Sequence, residues 1–135
     1  MSGLTNLSEL LSSLEPELLS GEYVFATVEE ERLPEFLPFR PMGMFLEAEG
    51  LTLILPKHTA DRFEITTSAP LRCITMNVHS SIEAVGMTAA MAAALTDEGI
   101  SANVVAAYYH DHIFVPSVDA DRAVAALQRL SASFK

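Results

Sequence analysis

Residues 71–116 constrain the fold more than any other stretch of the chain. They read LRCITMNVHSSIEAVGMTAAMAAALTDEGISANVVAAYYHDHIFVP. The opening alternates and is rich in β-formers, which predicts a strand over residues 71–79 with Arg72, Ile74, Met76 and Val78 on the core face. A run dense in Ala and Met follows and is stopped at Asp97, Glu98 and Gly99. Glycine there suits the left-handed position just past a helix end. Two more β-rich runs come next, at 102–109 and 113–115, pinched at a turn formed by His110, Asp111 and His112. Strand, helix, strand, strand is the order of an α+β unit in which a helix crosses an antiparallel sheet.

The start of that helix has two readings. Ser80 and Glu83 match a capping box, each side chain satisfying the other's backbone N–H. Gly86 would then lie inside the helix, at a cost of ~1 kcal/mol against Ala. The preferred reading makes residues 80–86 a loop and begins the helix at Met87. A last helix spans residues 119–131, with Asp119 as N-cap and an apolar stripe of Ala120, Ala123, Val124, Leu127 and Leu130.

The first half is less regular. Leu7, Leu10, Leu11 and Leu14 recur at helical spacing, with Thr5 or Asn6 as cap and Pro16 as terminator. Residues 22–28 read as a strand. Residues 29–41 contain three prolines and read as a loop. Residues 44–55 read as two strands about a turn at Glu49 and Gly50. One or two helical turns follow Pro56, then a polar connection over residues 64–70. A domain boundary near 69 gives units 1–69 and 70–135.

Half of the 135 residues are hydrophobic, enough for a real core, and no apolar run approaches the ~20 residues of a membrane helix. The net charge is −10, with 12 acids and 4 bases in residues 1–70. Such a surface repels polyanions, so nucleic acid is excluded as a partner. A lone Cys73 cannot form an internal disulfide and reads as a buried, inert thiol. With no basic, apolar leader pattern, the expectation is a soluble cytoplasmic protein.

The phrases HSSIEAVGMTAA, DEGISANVVAAYYHDHIFVP and DADRAVAALQRL resemble the second domain of small bacterial tandem ACT proteins. PELLSGEYVFATV and FLEAEGLTLILP resemble their first domain. The resemblance implies two ACT-like, ferredoxin-like units of the βαββαβ type, with antiparallel sheets and helices on one face. One departure matters: no strand follows the last helix, and a strand from the N-terminal half is the candidate to complete the sheet. ACT domains are regulatory modules that bind amino acids or similar ligands, often at the loop from first strand to first helix. Here that loop contains His79, Ser80, Ser81, Val85, Gly86 and Met87. Gly86 lets a ligand approach the backbone, and free N–H groups at the helix start receive a carboxylate. Asn103 and nearby carbonyls are candidates for the ammonium group. His110, Asp111 and His112 are expected to border the same polar pocket, Asp111 carrying charge toward the ammonium.

The residues admit two other readings. His110 and His112, with His79 as a third ligand, could serve a metal-dependent enzyme. Against this, polar residues gather at turns without any function. No nucleophile elbow, phosphate loop or dinucleotide glycine pattern occurs. Glu47 and Glu49 share a strand face but read as solvated. The chain is therefore read as a regulatory or sensor module, not an enzyme, with no catalytic residues, metal or cofactor. Its expected partners are a small molecule, most simply an amino acid, a second copy in a homodimer, and a separate protein target. The remaining alternative is a structural module that only drives oligomerisation.

Overall fold

A computed structural model describes residues 6–78 and 85–135. In chain order the elements are α1 (Leu7–Ser12), β1 (Pro16–Leu18), β2 (Tyr23–Val28), α2 (Leu33–Phe36), β3 (Gly43–Glu47), β4 (Gly50–Pro56), α3 (Lys57–Ala60), β5 (Thr66–Thr67), β6 (Leu71–Met76), α4 (Met87–Asp97), β7 (Asn103–Ala106), β8 (Asp111–Pro116) and α5 (Ala120–Ala132). They form two compact units. A contiguous unit holds residues 20–71, and a composite unit joins the residues up to Leu19 with residues 72–135. The spatial division thus differs from a chain-order division into 1–69 and 70–135. The physical reason is that the leucines of α1 and the backbone of β1 find their partners after residue 71.

The contiguous unit has strand order β3-β4-β2-β5 with antiparallel pairing throughout. Period-2 alternation in β2 and β4 sends Val24, Ala26, Val28, Leu51, Leu53 and Leu55 into one core. The connection over residues 29–41, expected as a loop, contains two 3-10 turns around α2. Pro34 and Pro38 sit early in their turns, where a missing N–H costs nothing. Phe36 is thereby driven fully into the core, its ring 4.6 Å from that of Phe63. The polar connection over residues 64–70 contributes β5, a strand too short to leave a periodic signal.

The composite unit has order β1-β6-β8-β7. Strand β1 is the missing fourth strand. It runs antiparallel to β6, with Pro16 opposite Met76, Glu17 opposite Thr75 and Leu18 opposite Ile74. Flanking bonds extend the pairing: Leu19 N–H donates to Cys73 O and Asn77 N–H to Glu15 O, both at 2.9 Å. Pro16 is tolerated because it opens an edge strand, where its absent N–H breaks no ladder. Each unit therefore carries strand–helix–strand–strand–helix–strand in the same spatial order. Only the source of the last strand differs.

Helix α1 is capped by Asn6, whose Oδ1 accepts from Glu9 N–H at 3.1 Å. Leu10, Leu11 and Leu14 are buried with Ile74, Met76, Met91, Leu95, Ile113, Val115 and Leu127 in one core. Burial of each of those three leucines stabilises the unit by about 1.5–3 kcal/mol. Ser131 of α5 donates its hydroxyl to Ser12 O, closing the helical layer. Strand β6 is buried on both faces, since Cys73 and Thr75 are covered as well as Ile74 and Met76. Burial pushes the Cys73 thiol up to about 11, so it is inert at neutral pH.

Candidate functional site

The connection from β6 to α4 lies partly outside the described residues, so the positions of His79, Ser80 and Ser81 and the Ser80–Glu83 capping box are not described. Its far side is clear. Gly86 is the N-cap residue of α4 with φ 94°, a left-handed conformation that side chains rarely adopt. The helix begins at Met87, in line with the loop reading. Val85 is exposed, and Met87 is buried in the core. A Cβ built on Gly86 would stand 3.1 Å from Leu7 Cδ2. Any side chain there therefore strains the backbone and presses on α1, so a substitution such as Gly86→Val perturbs the fold as well as the loop.

The β7–β8 hairpin turns two residues earlier than expected. Strand β7 ends at Ala106, Ala107 N–H donates to His110 O at 3.0 Å, and β8 opens at Asp111. Tyr108 and Tyr109, which fall within the expected strand over 102–109, instead form the tip. Both are exposed, with ring centroids 4.9 Å apart. Asp111 and His112 are consequently strand residues of opposite facing rather than turn residues. Register explains the shift: Ala106 pairs Asp111 and Val105 pairs His112, which keeps Val104 opposite Ile113 on the core face.

His112 Nδ1 lies 2.9 Å from Thr75 Oγ1. Thr75 is the penultimate residue of β6 and His112 the second of β8. The β6–α4 connection and the β7–β8 turn therefore leave the sheet at the same end. Thr75 was missed as a polar partner; the signal was a threonine on the strand face opposite Ile74 and Met76. Asn103 sits at the other end of β7, opposite Phe114, where its side-chain amide donates to Phe114 O at 3.4 Å. Three strand residues separate it from the turn, and it is not brought to the histidines.

The electrostatics at this end follow from partial burial. Desolvation lowers the His112 pKa, His110 lowers it further, and Asp111 opposes both. His112 is therefore neutral at pH 7, and its tautomer decides whether Nδ1 donates to or accepts from Thr75. Desolvation raises the Asp111 pKa, opposed by the two histidines. The rings of His110 and His112 are 6.4 Å apart. Among the described residues no group of three or more His, Cys, Asp or Glu is placed to hold a metal. What the arrangement offers is one carboxylate and a neutral imidazole beside a loop that ends at a helix N-terminus, a donor and acceptor set for a small polar molecule.

The doubled βαββαβ order defines a pair of ferredoxin-like domains. Family models described as the ACT domain match residues 2–72 and residues 68–129, and the chain belongs to the ACT-domain family. A solved Vibrio cholerae protein of unknown function is 48% identical, with TM-score 0.84, over 96% of this chain and 99% of its own. An Agrobacterium tumefaciens protein is similar in fold, with TM-score 0.70 and 18% identity over 87% of this chain and 89% of its own. So is the ligand-free regulatory subunit of aspartate kinase from Thermus thermophilus, with TM-score 0.70 and 10% identity over 87% of this chain and 97% of its own. No curated protein matches the sequence. Among the described residues no helix is long and apolar enough to cross a membrane.

Proposed function

We propose that the protein is a regulatory module that binds a small molecule at the end of the composite sheet where β6 and β8 meet. Its ligand is an amino acid. ACT-family membership and the regulatory aspartate kinase subunit among its structural neighbours support the coarser reading of a ligand-binding regulator. The observation that carries the site is the Thr75–His112 hydrogen bond. It ties the strand leading into the Gly86 loop to the strand carrying Asp111. On this reading the ligand carboxylate takes the backbone N–H groups at the start of α4, and its ammonium faces Asp111. Asn103, at the far end of β7, stands away from the ligand. The module works in the cytoplasm, catalyses no reaction, and passes its signal to a separate protein.

A melting screen against the common amino acids tests this. A ligand bound only by the folded state raises the melting temperature in proportion to the logarithm of its concentration. His112→Ala and Asp111→Asn should each weaken that binding by about 1–3 kcal/mol by leaving a buried polar partner unmatched. No shift with any amino acid at millimolar concentration defeats the reading.

The second reading, self-association, is favoured by β3. This strand is the edge of the contiguous sheet and exposes Met44, Phe45 and Leu46, with Phe45 71% accessible. Unprotected apolar edge strands pair with other chains. A homodimer joined at β3 would show in light scattering as twice the monomer mass. A monomer at high micromolar concentration removes it.

A further inference from the structure

The outer face of the contiguous unit carries a pocket of about 600 Å³ that no residue of the composite unit lines. It is built on one cross-strand row. Phe45 pairs Thr52, Thr52 pairs Thr27, and Thr27 pairs Thr66, so four strands present an aromatic ring and three hydroxyls side by side. Residues paired in this way stand on the same face, with neighbouring strands about 4.8 Å apart. The inward alternation of Leu51, Leu53, Val24, Ala26 and Val28 fixes that facing, because a one-residue slip would expose the core.

Glu47 closes one side. Its Oε1 accepts the Thr52 hydroxyl at 2.5 Å, so the carboxylate is held beside the row although it is exposed. With its proton donated to Glu47, the Thr52 hydroxyl is left as an acceptor. Ser68 closes the other side. Its hydroxyl accepts from Phe25 N–H at 3.0 Å and donates to Ala69 O at 3.0 Å, which anchors the β5 end against β2. The lining thus holds one carboxylate, several hydroxyl acceptors and two phenylalanines, and no Lys, Arg or His.

We propose that this pocket binds a small organic ammonium ion that carries hydroxyl groups and no carboxylate, of the amino-alcohol or amino-sugar class. The ammonium sits between Glu47 and the Phe45 ring, where charge pairing and the ring face both favour a cation. Ligand hydroxyls exchange hydrogen bonds with Thr27, Thr52 and Thr66. A ligand carboxylate finds no cation in the lining and is repelled by Glu47. The pocket therefore selects against the zwitterions assigned to the composite unit, and it stands independently of that assignment. Threonine is common on sheet surfaces for β-propensity alone. What propensity does not supply is a fixed carboxylate, an aromatic wall and a concavity at one end of an unbroken hydroxyl row.

The test is a backbone-amide NMR titration of the whole protein with glucosamine and ethanolamine, with glucose and serine as the neutral and carboxylate-bearing comparators. Expected are saturable shifts confined to residues 25–27, 45–52 and 66–68 for the two amines. Glucose and serine should bind about threefold to fivefold more weakly or worse, the range of one solvent-exposed charge pairing. Glu47→Gln keeps an acceptor for Thr52 and should weaken glucosamine by a similar factor, while Thr27→Val should weaken it without changing the selectivity. Absence of amine-induced shifts in these segments overturns the proposal. So does equal binding of glucose, or a Glu47→Gln variant that binds glucosamine as well as the parent. Shifts confined to residues 85–87 and 110–112 would report the composite site and equally overturn this one.

Discussion

The two units share one topology and close it differently. The contiguous unit finishes its sheet with two residues, Thr66 and Thr67, that come a short connection after its own last helix. The composite unit finishes with Pro16–Leu18, more than fifty residues upstream of the strand it pairs. Their helical layers differ in the same sense. In the contiguous unit α2 and α3 have four residues each, and aromatic rings fill the space beneath: Phe36 lies tilted against Phe63, and Phe63 in turn meets Phe39 edge-on. In the composite unit α4 and α5 have 11 and 13 residues, and α1 adds a third helix. The ferredoxin-like order is thus set by the strands. Either short turns with large rings, or long helices with leucines and alanines, can cover the same sheet.

That comparison is most strongly tested by removing the borrowed segment. Deleting residues 1–19 takes away a strand and three buried leucines, a loss comparable to the whole stability of a small domain. The expected result is collapse of the amide dispersion of residues 72–135, restored by adding a peptide of residues 1–19. Retained dispersion without the peptide would show that β1 is an accessory. Next in size is Phe36→Ala in the contiguous unit, expected to cost about 3–5 kcal/mol in urea unfolding because its ring is fully buried. A cost below 1 kcal/mol would mean that residues 29–41 behave as the loop their prolines suggested. Gly86→Ala should destabilise by about 1–2 kcal/mol through the left-handed backbone alone. The residue at that place ahead of α2 in the contiguous unit is Arg32, with φ −84°.

The smallest expected effect is a pH slope. The His112 pKa lies below its ordinary 6.5 in the folded state, so the unfolded chain binds the proton more readily. Stability from neutral His112 is complete above 6.5 and falls as the pH drops from there through the depressed folded value. Asp111 acts in the opposite sense. Its folded pKa is raised above 3.8, so its contribution is complete below 3.8 and is lost as pH rises through the folded value. The His112 window opens at 6.5 and runs downward while that of Asp111 opens at 3.8 and runs upward, so the melting temperature should decline below about pH 6.5 because of His112. His112→Gln should flatten that decline and leave the acid limb in place. An unchanged slope would assign it elsewhere.

Much of this was legible from local chemistry. Of the two cap candidates, Thr5 and Asn6, it is Asn6 that caps α1; Gly86 stands ahead of its helix, as the preferred of two readings has it, and Gly99 takes the left-handed position beyond it. The strands β2, β4 and β6 were legible because alternation or apolar density marks a buried face. What sequence could not carry was pairing at a distance. Nothing in Pro16, Glu17 and Leu18 names β6 as their partner. Nothing in Thr66 and Thr67 distinguishes a two-residue strand from a polar link. The β7–β8 turn was misplaced because His110, Asp111 and His112 are polar, while the tip belongs to two tyrosines. Hydrophilicity is a correlate of turns, and the register of Val104 against Ile113 is the cause. At the candidate site, Gly86, Asp111 and His112 were named from sequence. The Thr75 contact that joins their strands was not, because it depends on which strands are neighbours.

The borrowed strand also sets an order of events during synthesis. Residues 6–19 are made first, yet α5 and β8, which complete the core around Leu10, Leu11 and Leu14, are made last. At ordinary rates of translation the leucine-rich segment waits on the order of ten seconds with its apolar face uncovered. During that time the contiguous unit has all of its own strands. The waiting segment is also free to add itself to the β6 edge of a neighbouring nascent chain, giving two molecules with exchanged N-termini. Crowded polysomes should therefore favour interlocked pairs over single molecules. Slow synthesis, which lengthens the wait, should raise their share.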